Sequence, residues 1–143
     1  MSIKQISVFV ENRHGRLADI TRLLAEEGID IRALSIADTT DYGVLRMIVN
    51  DTAKAKDVFK ANGFAVTVTE VVGIEVPDVP GGFNKVVEAL CSKGIDIEYT
   101  YAFLSPKENT ACVIIRVEDN CAAKEALLSA DITLLDEKTA FSK

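Results

Sequence analysis

An internal repeat constrains the fold of this 143-residue chain more strongly than any other feature of its sequence. The segment Gly28-Ile29-Asp30-Ile31 recurs 66 positions later as Gly94-Ile95-Asp96-Ile97, and Gly15 recurs at the same offset as Gly81. Four consecutive identical residues at an offset shared by a second glycine are not explained by composition. The sequence therefore predicts one supersecondary unit that is present twice.

The two copies differ slightly in length and follow one another without a linker. Val49-Asn50-Asp51 matches Val117-Glu118-Asp119 at an offset of 68, so the second copy carries two extra residues. We expect this insertion in a hairpin over 105–109. No Pro-rich or Ser-rich spacer separates the copies, because residues 69–73 lead directly from one predicted strand into the next.

The first copy shows the hydrophobic periods of a βαββαβ unit. Ile6, Val8 and Val10 occupy every second position, which predicts a strand with one face on a core. Apolar residues at helical spacing follow, and Gly28 stands where a left-handed residue would end that helix. The inward residues of this helix are predicted to be Leu17, Ile20, Leu23 and Leu24. The other predicted elements are strands over 31–39 and 43–50 joined by a turn at 40–42, a helix over 52–62 with Ala55, Val58 and Phe59 inward and Gly63 at its end, and a strand over 65–70.

The second copy repeats this order. Its predicted elements are a strand over 73–76, a helix carrying Phe83, Val86, Val87 and Leu90, strands over 95–104 and 111–118, a helix over 121–129 and a strand over 133–135. The order βαββαβ gives an antiparallel four-stranded sheet with two helices on one face, the ferredoxin-like arrangement. We therefore predict an α+β fold of two ferredoxin-like units, 1–70 and 71–143, packed together. The uncovered sheet faces and edges are expected to be covered by the repeats or by a second chain.

Charge and composition exclude several classes of partner. The formal net charge is -6, from 16 basic and 22 acidic side chains, so nucleic acid and membrane surfaces are not expected to bind. The sequence shows neither a bilayer-spanning apolar run of about 18 residues nor a secretion signal, which predicts a cytoplasmic location. Three cysteines without a CxxC pair and a single histidine, His14, predict no metal site and no cofactor.

The turn from the first strand into the first helix of each copy is the best candidate for a ligand site. A helix start presents unpaired N–H groups and the positive end of a dipole, and a glycine there lets a carboxylate approach the backbone. Asn12 and Asp78 can accept a hydrogen bond from an ammonium group, and Arg13 and Arg16 can attract a carboxylate. In the alternative interpretation, Asn12 and Asp78 only cap helices and the glycines only permit a turn. The candidate residues are Asn12, Arg13, His14, Gly15, Arg16 and Leu17 in the first copy, and Asp78, Pro80, Gly81, Gly82 and Phe83 in the second.

These turns also carry a resemblance to a known family. Asn12-x-x-Gly15-x-Leu17, followed by a helix that ends at Gly28-Ile29-Asp30-Ile31, resembles the ACT domain, a regulatory ligand-binding module of amino-acid metabolism. Asp78-x-Pro80-Gly81-x-Phe83 resembles it too, so the likeness spans nearly the whole chain. The resemblance implies paired modules that bind a small effector, usually an amino acid, where the strand-to-helix loop of one module meets the second strand of its neighbour. As ligand contacts it implies Asn12, His14, Gly15 and Leu17 in one site, and Asp78, Gly81, Gly82 and Phe83 in the equivalent site.

The two copies depart from the ACT pattern differently. His14 stands where many members have the proline that the second copy keeps as Pro80, and Asp78 replaces the asparagine. We therefore expect two unequal sites.

The second strands of the two copies differ as well. Small residues in the first copy match aromatic residues in the second, namely Ala33, Ser35 and Ala37 against Tyr99, Tyr101 and Phe103. Two interpretations stay open at this point: a packed sheet face, or strands that meet asymmetrically and leave room for a ligand or for aromatic rings.

The predicted function is a non-enzymatic regulatory protein that binds a small molecule. A homodimer is expected, with an enzyme partner in trans as a further option. One alternative is the regulatory subunit of a biosynthetic enzyme such as acetolactate synthase. Another is an acylphosphatase-like hydrolase, which uses a loop arginine and an asparagine on the third strand. However, Asn50 falls at the end of that strand, the second copy has no loop arginine, and no GxSxG or HExxH motif surrounds His14.

Overall fold

The computed structural model describes residues 2–11, 14–38, 42–103 and 105–140. The chain divides into two compact units. Lys4–Thr69 form the N-terminal unit, whereas Met1–Ile3 and Glu70–Lys143 form the C-terminal unit. The predicted turn at 40–42 lies largely outside the described residues, as does Leu104 at the end of a predicted strand.

The N-terminal unit has the element order that the sequence predicts. Its sheet is ordered β2-β3-β1-β4, and β3 pairs antiparallel with both β1 and β2. The register sets Ile6 opposite Met47 and Val10 opposite Gly43, so β1 ends where β3 begins. The elements are β1 (Ile3–Glu11), α1 (Arg16–Glu26), β2 (Ile31–Asp38), β3 (Tyr42–Val49), α2 (Thr52–Ala61) and β4 (Val66–Pro77).

The C-terminal unit repeats this topology. The later part of β4 pairs antiparallel with both β6 and β7, and β5 pairs antiparallel with β6. The strand order is therefore β5-β6-β4-β7, which corresponds strand by strand to the order in the N-terminal unit. The elements that follow β4 are α3 (Gly82–Cys91), β5 (Tyr99–Phe103), β6 (Thr110–Arg116), α4 (Asn120–Ser129), β7 (Thr133–Leu135) and a short helix, α5 (Glu137–Ala140), that the sequence did not predict.

Each unit buries an apolar core between its two helices and one face of its strands. In the N-terminal unit Ile20 and Leu24 of α1 and Phe59 of α2 are fully buried. The strand residues of the same cluster are Ile6, Val8, Val10, Leu45, Met47 and Val49. The C-terminal cluster has the same arrangement, with Val86, Leu90, Ala123 and Leu127 from its helices, Val72, Ile74, Val76, Val113 and Ile115 from its strands, and Val117 directly after β6. The ferredoxin-like prediction is thus confirmed for both units.

Three predicted inward residues are more exposed than expected. Leu17 is 48% exposed, because the core residues of α1 begin one turn later at Ile20. Phe83 and Val87 of α3 are each 37% exposed, whereas Val86 and Leu90 are fully buried. The buried stripe of α3 is therefore narrower than the apolar stripe in its sequence.

The boundary between the copies also differs from the prediction. The strands expected over 65–70 and 73–76 form a single strand, β4, because no residue between them leaves the extended conformation. Gly73 is needed there for space: a Cβ at this position would lie 2.3 Å from Cδ1 of Ile3. The strand predicted over 95–104 starts only at Tyr99, since Ile95 and Ile97 pack on the C-terminal core instead.

No helix in the described part of the chain has both the length and the apolar character needed to cross a membrane.

Candidate functional site

The strand-to-helix turns of the two units have the same backbone conformation. Gly15 precedes α1 with φ 85°, and Gly81 precedes α3 with φ 84°, which is the left-handed region that favours glycine. Neither helix start receives a hydrogen bond from a capping side chain. The Gly82 N–H donates to the carbonyl oxygen of Val79 at 3.0 Å, so the N–H groups of the next residues in the first turn of α3 are the ones left for solvent or for a ligand.

The capping interpretation of Asp78 is wrong. The N-cap of α3 is Gly81, and the backbone N–H of Asp78 donates to the carbonyl oxygen of Asn109 at 2.9 Å. Asp78 thus continues the strand ladder between β4 and β6 rather than starting the helix. The corresponding residue Asn12 lies outside the described residues, as does Arg13.

A cavity of about 490 Å³ opens at the turn of the C-terminal unit. Pro80, Gly81 and Gly82 of the predicted site line it, whereas Phe83 and Asp78 do not. Its other lining residues come from β4, α3, the β5–β6 hairpin and the start of β7: Glu75, Val76, Pro77, Val79, Lys85, Lys107, Asn109, Thr110, Asp131, Ile132 and Thr133. The topology therefore brings four distant segments to one place.

The charged groups of this C-terminal cavity are of both signs. Lys107 Nζ lies 3.2 Å from Glu75 Oε1, and the Glu75 side chain is only 18% exposed. Lys85 forms no ion pair with any residue that the structure describes. The hairpin positions Lys107, since its backbone N–H donates to Ser105 Oγ at 3.1 Å and its carbonyl oxygen accepts from Thr110 Oγ1 at 2.8 Å. The cavity thus holds one internal ion pair and one ammonium group without an anionic partner in the described structure.

A smaller cavity, of about 370 Å³, lies at the turn of the N-terminal unit. Its described lining residues are Phe9, Val10, Glu11, Arg16, Gly63, Phe64 and Ala65. Each of them has its repeat counterpart, at an offset of 66 or 68, among the residues that line the C-terminal cavity. The two cavities are therefore equivalent positions of the same fold. Of the residues predicted in the first copy, Arg16 lines its cavity, whereas His14 and Leu17 are exposed beside it.

Sequence analysis missed the charged residues of the C-terminal cavity: Glu75, Lys85, Lys107 and Asp131. Lys85 stood at a recognisable position, one helical turn after Gly81, where its side chain shares a face with the helix start. The other three lie on a strand, a hairpin and a helix end, and only the folded topology brings them together.

The pKa of the buried Cys112 thiol is shifted from its ordinary value. Burial raises the pKa of the Cys112 thiol above its ordinary value of 9.0, and the negative charge of Glu75 raises it further, while a hydrogen bond with Ser105 lowers it. The thiol therefore stays protonated near neutral pH and is not activated as a nucleophile. The described residues also contain no group of three or more His, Cys, Asp or Glu side chains placed to hold a metal ion.

Asn50, the asparagine that the hydrolase alternative would use, does not lie at the N-terminal turn. Asn50 follows β3 at the end opposite to Gly43, and Gly43 is the residue that pairs with β1 near the turn. Seven strand residues at about 3.3 Å each separate the two ends by roughly 23 Å. The Asn50 side chain also accepts a hydrogen bond from the Asp30 backbone N–H at 2.9 Å, which ties it to the other end of the sheet.

A family model described as an ACT domain pair matches residues 1–142. The chain belongs to this family. Protein BT0572 from Bacteroides thetaiotaomicron, a solved structure, is 42% identical and superposes with a TM-score of 0.93, over 100% of this chain and 98% of that one. A comparison with curated proteins gives no match.

More distant solved structures share the fold of this ACT pair. The ligand-free regulatory subunit of aspartate kinase from Thermus thermophilus is 22% identical, with a TM-score of 0.63 over 89% of this chain and 91% of that one. The corresponding subunit from Thermus flavus is 21% identical, with a TM-score of 0.63 over 90% of this chain and 92% of that one.

The second strands of the two ACT units carry their contrasting residues on the sheet face away from the helices. Tyr101 of β5 lies opposite Ile114, and Ser35 of β2 lies opposite Arg46. On the partner strands β3 and β6, the residues on either side of Arg46 and Ile114 face the helices and belong to the two cores. Tyr99, Tyr101 and Phe103 are half-buried, so packing uses part of their surface. Their contact with a ligand stays a prediction.

Proposed function

We propose that this ACT pair is a regulatory protein and that its effector, an amino acid, binds in the C-terminal cavity. The observation that carries the proposal is a cavity of about 490 Å³ in which an uncapped helix start, a lysine without an anionic partner and a half-buried carboxylate occur together. Cavities of about 300 to 1,000 Å³ are the usual size for small-molecule sites.

The chemistry of the cavity complements both ends of an amino acid. The α-carboxylate would accept hydrogen bonds from the N–H groups that follow Gly82 in the first turn of α3 and would pair with Lys85, since the helix start and the ammonium group are both positive. The α-ammonium would donate to Glu75, whose carboxylate is held in place by Lys107. Val76, Val79 and Ile132 offer apolar surface to the side chain.

The effector would act by shifting an equilibrium of this protein with its partners. A ligand regulates only if it binds one conformational or assembly state more tightly than another. A homodimer, in which the turn of one unit meets the second strand of another, would provide such a state. Effector binding would then change the assembly of the oligomer or the activity of an enzyme bound in trans.

A second candidate function is that of a regulatory subunit for a separate biosynthetic enzyme. The solved regulatory subunits of aspartate kinase from Thermus are themselves proteins of this fold over about nine-tenths of their length, so the fold occurs in that role. Acetolactate synthase is the other enzyme proposed for this role. The two enzymes are distinguished by adding this protein to each and measuring whether amino-acid inhibition of the enzyme changes.

A thermal-shift panel of the twenty amino acids at millimolar concentration tests the main proposal. A ligand present at about a hundred times its Kd adds about 2.7 kcal/mol to the free energy of unfolding, which raises the Tm measurably. We expect one amino acid, or a chemically related few, to raise it. If no amino acid changes the Tm, amino-acid binding is not the function.

A further inference from the structure

The two equivalent cavities differ in one cationic side chain, because Arg16 borders the N-terminal cavity, in which about 370 Å³ stays open, against about 490 Å³ in the C-terminal one. In the N-terminal cavity the Arg16 guanidinium carbon lies 4.4 Å from the centroid of the Phe64 ring, which is a cation–π distance. The Arg16 side chain is only 20% exposed, and its Nε is buried without a hydrogen-bond partner. The repeat counterparts of Arg16 and Phe64 are Gly82 and Ile132, which provide neither a cation nor a ring.

The charge beside each cavity is also reversed between the copies. Arg16 Nη1 lies 3.9 Å from Asp19 Oδ2, three residues further along α1. The counterpart of Asp19, at an offset of 66, is Lys85. The N-terminal unit thus has an arginine beside its cavity and an aspartate that pairs with it. The C-terminal unit has a glycine and a lysine at the two equivalent positions.

The backbone keeps the C-terminal cavity from being closed in the same way. A Cβ at Gly82 would lie 2.3 Å from the carbonyl oxygen of Pro77, and backbone does not yield as a flexible side chain does. The turn of the C-terminal unit therefore excludes any side chain at the position from which Arg16 reaches its cavity.

We infer that Arg16 is a built-in guanidinium of the N-terminal cavity, held against Phe64, which narrows that cavity, so that the effector binds in the larger C-terminal one. The inference about the C-terminal cavity rests on the proposed function, whereas the inference about Arg16 does not. The N-terminal cavity accordingly contains a guanidinium site that the chain itself occupies, beside the space that stays open.

Chemical rescue, with methylguanidinium as the probe, tests whether Arg16 occupies a guanidinium site in the N-terminal cavity. We expect the Arg16→Ala variant to bind one equivalent of methylguanidinium by calorimetry, while the wild-type protein binds none. Arg22→Ala is the matched control, because Arg22 lies on the same helix and also pairs with Asp19 but is 59% exposed. If Arg16→Ala binds the probe no better than Arg22→Ala, the inference is wrong.

A spectroscopic measurement on the wild-type protein keeps the test valid should Arg16→Ala fail to fold. The Nε–H signal of Arg16 should be shifted upfield by the Phe64 ring and should exchange slowly with solvent, whereas that of Arg22 should do neither. Phe64→Leu should abolish the upfield shift. Identical behaviour of the Arg16 and Arg22 signals would overturn the inference.

The binding stoichiometry tests the inference about the C-terminal cavity, with whichever amino acid raises the Tm in the panel. Calorimetry should give one molecule bound per wild-type chain, and two per chain would contradict the inference that the effector binds in the C-terminal cavity and not in the narrower N-terminal one. If no amino acid binds at all, the proposed function fails, while the methylguanidinium result still decides the role of Arg16.

Discussion

Arg16 and Gly82 occupy the same position of the repeat, yet one carries a long cationic side chain and the other carries none. The two units have the same topology, so they differ through single substitutions of this kind. In the N-terminal unit the arginine stacks on Phe64 and faces Asp19. In the C-terminal unit the same space stays open and is bordered by Lys85. Under the proposed function, residue identity at this turn would make the C-terminal copy the one that binds the effector.

Substitution of Lys85 is the most direct test of a single side chain in the C-terminal cavity. We predict that Lys85→Met weakens binding of the effector amino acid about tenfold, since a charge-assisted hydrogen bond contributes roughly 1.5–3 kcal/mol and Lys85 is partly screened by water. Calorimetric titration measures the change in Kd. Lys93→Met is the matched control, because Lys93 is an exposed lysine of the same unit that does not line the cavity. Equal affinities of the two variants would remove Lys85 from the site.

The helices of each unit begin in two different ways. The second helices, α2 and α4, start with aspartates at equivalent repeat positions, and Asp51 and Asp119 each accept a hydrogen bond from a backbone N–H at 3.0 Å. The first helices, α1 and α3, start at glycines without a side-chain cap. The capped starts lie at one end of each sheet and the uncapped starts at the other, where the cavities are. Aspartate side chains thus cap the second helices, whereas the cavities lie at the helix starts that have no side-chain cap.

The capped starts should contribute to stability without affecting binding. We predict that Asp51→Ala and Asp119→Ala each lower the free energy of unfolding by about 1 kcal/mol, because an N-cap substitution removes a partner from an otherwise unsatisfied N–H. Urea unfolding measures the loss. Asp57→Ala, at an exposed position within α2, should change stability by less than about 0.5 kcal/mol. A loss at Asp57 as large as that at Asp51 would show that the caps are not the cause.

The uncapped starts should affect binding in one unit only. We predict that Gly81→Val abolishes the effector-dependent rise in Tm, because a β-branched residue strains at φ 84° and distorts the cavity turn. Gly15→Val carries the same strain at φ 85° and should lower basal stability similarly while keeping the rise in Tm. Loss of the rise in Gly15→Val with retention in Gly81→Val would place the effector in the other unit.

The order of elements could be predicted from the sequence because periodicity and repetition report local structure. Glycines at Gly28 and Gly63 marked helix ends correctly, and both residues have positive φ. The exposure of Leu17 could not be predicted, because the helical stripe does not reveal where the core under a helix begins. The fusion of two predicted strands into β4 also depends on packing, here the close approach of Ile3 to Gly73.

The candidate site could be predicted only in part. The turn at Gly81 and Gly82 follows from local backbone requirements, which a sequence displays. Glu75 and Lys107 are 32 positions apart, and their ion pair depends on how the β5–β6 hairpin folds back over β4. Long-range pairings of this kind leave no periodic signal.

The whole molecule is two copies of one ACT unit that share a topology and differ in their chemistry. Each unit has its own buried core and its own cavity at the uncapped helix start. The three cysteines of the C-terminal unit differ in burial, since Cys112 is buried while Cys91 and Cys121 are exposed.

Thiol reactivity should follow that difference in burial. We predict that near neutral pH two thiols of the native protein react rapidly with a disulfide reagent and that Cys112 reacts only on unfolding, because burial both shields it and raises its pKa. Absorbance of the released thiolate measures the number that react. The variant with Cys91→Ser and Cys121→Ser should give no rapid phase. A rapid phase in that variant would contradict the buried position of Cys112 on β6.

The central claim is that the C-terminal cavity alone receives the amino acid. An NMR titration of ¹⁵N-labelled protein with the amino acid that raises the Tm observes both turns in one experiment. We predict that the largest shifts occur at the amides of Gly81, Gly82 and Lys85, while the amides of Gly15 and Arg16 stay in place. Shifts centred on Gly15 and Arg16, or shifts at neither turn, would contradict the claim.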